Sequence, residues 1–198
     1  MEVSLVAVLA DLEAIIGPPA AVPPAIDWLE LERLSGLRFP ADYKQLANRY
    51  AMLEIDAFLD VHHLGMAPDI PTMLSQCRQV LDPLRQLNEK YGFIYLADGS
   101  GSEVRAEPYP VYPEPNGLFP WGATDNGDTL LWLTDADPDR WTIVVTDNGT
   151  WWHFDCGLID YLAGVLGRTL PYTGLTDSFP EPEFKVFQYS SLDQLPSQ

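Results

Sequence analysis

The sequence predicts an α+β domain, a mostly antiparallel sheet flanked by helices. Three observations carry this. Apolar residues recur at helical spacing from Asp69 to Tyr91 and again in "LIDYLAGVLGR". Three strand-like runs, "DTLLWLT", "WTIVVT" and "TWWHFD", follow one another between those helices. The last two are joined by Asp147-Asn148-Gly149, and Asn and Gly accept the positive φ of a tight hairpin. Helices on both sides of an antiparallel meander make the α+β class.

The elements follow in order. Val3, Val6, Leu9, Leu12 and Ile16 suit an N-terminal helix over 2–16, which "GPPAAVPP" (Gly17–Pro24) must end as an extended linker. Asp27 caps a second helix, "WLELERLSG", and Gly36 closes it. A third begins after Pro40, with Tyr43, Leu46 and Tyr50 on one side. "MLEIDAFLDVHH" reads as a strand or a short irregular segment. In the long helix, Ile70, Met73, Leu74, Cys77, Val80, Leu81, Leu84 and Leu87 follow the 3.6-residue period, and Pro83 should kink or divide it. "YGFIYLAD" is a strand; residues 98–118, rich in Pro and Gly, form a loop or edge excursion. The expected organisation is an N-terminal helix with a Pro-rich linker (1–24), a central domain (25–168) and a Pro-rich C-terminal extension packed on it (169–198).

Composition narrows the function. At 198 residues the chain can bury roughly 70% of its unfolded surface, and 46% hydrophobic content marks a globular protein. A formal charge of −18, from 11 Lys and Arg against 29 Asp and Glu, repels nucleic acid and anionic membranes. It favours a basic protein partner through electrostatic steering. The N-terminus carries Glu2, Asp11 and Glu13 and no basic leader, and no apolar run reaches transmembrane length. Cys77 and Cys156 are far apart and form no metal or disulfide pattern. The expected location is cytoplasmic.

Candidate chemistry fails on spacing. Asp135, Asp137 and Asp139 invite a calcium reading, but an EF-hand loop needs Gly at position six and Glu at twelve, where Arg140 and Thr146 stand. A connection between strands fits better. His62-His63 beside Asp60 and Asp69 meets no familiar ligand spacing. His153 and Cys156, three apart on a strand, fall on opposite faces. Ser100 and Ser102 lack the Gly-x-Ser-x-Gly order of a nucleophile elbow. A small acidic hydrolase would need two carboxylates across a cleft, and nothing singles out a pair. The reading is no catalytic residue, no metal and no cofactor. The remaining candidates are partner-binding: the carboxylates of Asp135, Asp137 and Asp139 as the most exposed, with Trp141 as an aromatic anchor.

Three segments in order resemble the SUKH superfamily, the Smi/Knr-like domains. "LERLSGLRFPADYKQLANRY" is similar to its opening signature through Leu34, Gly36, Phe39, Pro40, Asp42, Tyr43 and Leu46. "LFPWGATDNGDTLLWLT" resembles its central segment through Pro120, Trp121, Gly122, Asp125, Gly127 and Asp128. "WHFDCGLIDYLAGVL" resembles its closing strand and helix through Leu158, Tyr161, Leu162 and Leu166. The likeness spans roughly 25–168. It departs at Arg49-Tyr50-Ala51, where the family has Asn-Gly, and in the long 98–118 loop. It implies a non-enzymatic, Smi/Knr-like protein-binding domain. Bacterial members are commonly immunity proteins that neutralise polymorphic toxins, many of them nucleases; fungal relatives act as scaffolds. The expectation is an immunity protein that binds a basic toxin domain through an acidic surface. The alternative is a general scaffold or regulatory module of the same type.

Overall fold

The computed structural model describes residues 8–195. The helices are α1 (Leu9–Ile16), α2 (Trp28–Ser35), α3 (Ala41–Arg49), α4 (Ile70–Tyr91) and α5 (Leu158–Leu166). The strands are β1 (Met52–Ile55), β2 (Leu59–Val61), β3 (Ile94–Ala97), β4 (Glu103–Ala106), β5 (Leu118–Thr124), β6 (Thr129–Leu133), β7 (Thr142–Thr146), β8 (Thr150–Phe154) and β9 (Val186–Tyr189). They form one nine-stranded sheet, in the order β4-β3-β8-β7-β6-β5-β2-β1-β9. All neighbours are antiparallel except β3 and β8. The class is α+β, as the periodicities predict. Val3 and Val6 of the expected first helix lie outside the described residues. No helix among the described residues is long and apolar enough to cross a membrane.

Local chemistry sets the helix ends. Asp27 accepts the Glu30 N–H at 3.0 Å to start α2, and Gly36, at φ 72°, ends it. Asp69 accepts the Thr72 N–H at 2.7 Å to start α4. Pro83 does not divide α4, which runs unbroken for 22 residues. Pro83 and Gln79 are both exposed, so the carbonyl left without its helical donor faces water.

Alternation along β6 and β7 places Leu130, Trp132, Ile143 and Val145 on one face and Leu131 and Val144 on the other, all 0–1% exposed. Both faces are therefore covered. On the first, the Tyr43 ring of α3 lies 4.8 Å from Trp132, and Tyr161 of α5 lies 5.9 Å from Trp121. The second is covered by α4, whose Asn88 donates to the Tyr109 carbonyl while the Tyr109 ring packs on Trp151 and His153.

Four strands escape the sequence pattern. "MLEIDAFLDV" is the hairpin β1–β2, and β5 contains a proline. The C-terminal segment supplies β9, paired with β1 from Met52↔Tyr189 to Ile55↔Val186.

Candidate functional site

The acidic stretch from Phe119 to Trp141 is two connections around β6. The first is the β5–β6 turn. Asp128 Oδ2 accepts the Thr124 hydroxyl at 2.6 Å, the Gly127 N–H donates to the Thr124 carbonyl, and Gly127 sits at φ 88°. Asp125 is exposed and its N–H donates to the Phe58 carbonyl, tying this turn to the β1–β2 hairpin. Before the turn, the β5–β6 register slips between Pro120 and Gly122, so Trp121 is the extra residue of a bulge. A proline is tolerated in this central strand because it stands at the bulge.

The second connection, Thr134 to Trp141, holds the predicted partner-binding aspartates, and each has a local bond. Asp135 accepts the Asp137 N–H at 2.9 Å, and Asp137 accepts the Asp139 N–H at 3.2 Å. Asp139 accepts the Ala41 N–H at 3.4 Å, and Arg140 reaches Asp135 at 3.5 Å. Asp137 and Asp139 are exposed; Asp135 is half-buried, because it faces Arg140 and the turn. These are turn-forming bonds first. Among the described residues, no group of three or more His, Cys, Asp or Glu converges as metal ligation requires.

Trp141 corrects the expectation. It is 3% exposed, its indole N–H donates to the Asp135 carbonyl at 2.9 Å, and its ring packs on Phe39 and Trp132. It anchors the acidic loop to the core and is not available to a partner. A tryptophan at the start of a strand reads the same in sequence whether it turns in or out.

The other signature residues are structural. Gly36 is the left-handed cap of α2, and Pro40 is buried at the start of α3. Tyr43 donates to the His62 carbonyl and accepts the Leu64 N–H, so its hydroxyl pins the chain leaving β2. Burial raises its phenol above the usual range. Asp42 begins α3 yet serves α5: its carboxylate accepts the Ile159 N–H at 3.3 Å and its own neighbour Tyr43 N–H at 2.6 Å. Gly157, just before α5, leaves room for it, since a Cβ there would stand 2.8 Å from Asp42 Oδ2. Burial raises the Asp42 carboxyl despite these bonds. Asp42→Ala is therefore expected to lower the unfolding free energy in urea by about 1–2 kcal/mol, the usual cost of a lost cap. Asp42→Asn, which keeps an acceptor without a buried charge, should cost clearly less.

The histidines divide. His63 Nε2 lies 2.9 Å from the Ala47 carbonyl and its Nδ1 accepts the Gly65 N–H, so it is a core residue. His153 lies between Tyr109 and Thr142 hydroxyls at 3.1 and 2.8 Å. Ser100 is bonded to Asp98 and Ser102 in the β3–β4 turn. His62 shares a cavity wall with Asp60, and His63 borders the same cavity. In the sequence, Asp60 and His62 suggest nothing beyond a metal ligand set.

No protein-family model matches the chain, and neither a curated protein nor a solved structure is found similar to it.

Proposed function

We propose that this chain is a non-enzymatic binding protein of the immunity type, which holds a basic toxin domain, a nuclease by preference, on its acidic surface. One observation carries the reading. Exposed Asp125, Asp137 and Asp139 stand at the two ends of β6 in a chain of formal charge −18. Ion pairs engage Arg33, Lys44, Arg49, Arg85 and Arg140, and all 11 Lys and Arg together are outnumbered by 29 Asp and Glu. The Asp137 and Asp139 carboxylates accept backbone N–H groups and Asp125 is tied through its own N–H to Phe58, so presenting them to a partner costs little ordering entropy. The structural engagement of His63, His153 and Ser100 favours binding over catalysis. The Smi/Knr-like motif order supports the same class of protein, acting in the cytoplasm.

Co-purification from the native cell under low salt, followed by association kinetics with the isolated partner, tests it. The association rate should fall at least about tenfold between 50 and 500 mM salt. Asp137→Asn with Asp139→Asn should slow association several-fold while stability holds, because each amide keeps the oxygen its turn uses. A salt-insensitive rate, or a partner without a basic face, would sink the reading.

A further inference from the structure

A partly open cavity of about 310 Å³ lies between the β1–β2–β5 part of the sheet and the first half of α4. That volume is at the low end for small-molecule sites. Its wall is apolar and adaptable, with Met66, Met73 and Val80 on one side and Leu192 from the C-terminal turn on the other. Thioether chains reshape readily around a ligand. Asp60 of β2 and His62, just beyond the end of that strand, form the polar end.

The charge at that end is one-sided. Glu54 of β1 is directly opposite Asp60 in the β1–β2 ladder, and Asp125 adds a further negative charge nearby. No Lys or Arg lines the cavity among the described residues. The remaining neighbours are neutral: Tyr189 of β9 donates to Glu54 at 3.3 Å, and α4 presents Cys77 and Gln76. The Asp60 carboxylate has no hydrogen-bond donor among the described residues. Burial, with Glu54 and Asp125 close by, raises its carboxyl to about 6, and burial lowers His62 to about 4. At neutral pH the cavity therefore holds a poorly solvated anion beside an uncharged imidazole.

We propose that this cavity binds a small organic amine, its ammonium group paired with the Asp60 carboxylate and its short apolar body lying among Met66, Met73 and Val80. An anionic ligand would meet Asp60, Glu54 and Asp125 with no cation to receive it. A sugar or nucleotide would leave most of its polar groups against apolar wall, where each unpaired one costs free energy. A bare metal ion would find no three converging His, Cys, Asp or Glu ligands among the described residues. The ammonium ion supplies the donor and the charge that Asp60 lacks. The proposal is independent of the partner assigned to the acidic surface.

Calorimetric titration at pH 7.5 and 150 mM salt with n-hexylamine, 1-hexanol and hexanoate tests it on the parent chain, Asp60→Asn and Val80→Trp. The amine should bind the parent at least about tenfold tighter than the alcohol, and hexanoate should bind weakest. Asp60→Asn should remove the preference for amine over alcohol. Val80→Trp, at the rim, should weaken both. Urea unfolding of each variant checks that the fold is kept. Equal binding of amine and alcohol by the parent overturns charge recognition. An amine preference kept by Asp60→Asn assigns the effect to the acidic surface at large and overturns the site. No detectable binding of the amine by the parent overturns it as well.

Discussion

Gly122→Ala should lower the unfolding free energy by about 3 kcal/mol, the upper end for overpacking a core position. Gly122 lies in β5, paired with Val61 of β2 on one side and Leu130 of β6 on the other. A Cβ built there would stand 2.5 Å from the Asp60 carbonyl oxygen, a backbone atom of the neighbouring strand. Backbone cannot rotate aside as a side chain can. The β2–β5 ladder has to open, and β1 and β9 hang on β2 beyond it. Gly127, five residues on, is the internal comparison. It has φ 88° but nothing within 4 Å of a built Cβ, so alanine there meets only the backbone penalty of a left-handed residue, about 1 kcal/mol. Urea unfolding of the two variants should separate them by about 2 kcal/mol. Equal losses would mean that turn conformation, and not strand contact, is what the two glycines supply.

That comparison shows which parts of the fold were legible. The long amphipathic helix, the Asp27 cap, the Asn148-Gly149 hairpin and the three central strands follow local rules, and local rules are readable in sequence. The β1–β2 hairpin is not of that kind. Its turn places Asp56 and Ala57 at φ 57° and 50°, conformations usually given to Asn and Gly. What holds them is distant: the Asp56 carboxylate accepts the Glu181 and Lys185 N–H groups, and the Asp56 N–H donates to the Lys185 carbonyl. No window around residue 56 contains that information. β5 is hidden for a related reason, since Pro120 and Gly122 both argue against a strand until the bulge and the close β2 backbone are known. β9 follows from neither period, because its residues are only partly buried and its partner lies more than 130 residues away. The acidic loop was half legible. Its aspartates read correctly as turn chemistry, whereas the inward direction of Trp141 depends on Phe39 and Trp132, which only the assembled sheet brings together.

Asp60→Asn and His62→Asn should change the pH dependence of stability in opposite directions across one window. The Asp60 carboxyl, raised from 3.8 to about 6 by burial and by Glu54 and Asp125, binds more protons folded than unfolded between those values. Its contribution is therefore fully present below about 3.8 and is lost as pH rises through 6. The His62 imidazole, lowered from 6.5 to about 4 by burial, behaves in reverse: the unfolded chain binds the proton first, so stability is present above 6.5 and is lost as pH falls towards 4. Each shift corresponds to roughly 3 kcal/mol in full, and somewhat less for side chains that keep some contact with water. Burial also lowers His63 and His153 and raises Asp42, so the informative quantity is the difference between each variant and the parent at the same pH. From pH 4.5 to 7.5, the advantage of Asp60→Asn over the parent should grow by about 2 kcal/mol. Over the same range His62→Asn should lose about 2 kcal/mol relative to the parent, being best tolerated at the acid end. Differences that stay flat with pH would show two ordinary, solvated side chains. Opposed slopes are what the geometry calls for: a carboxylate and an imidazole, two residues apart, both half-buried at the wall of one apolar cavity.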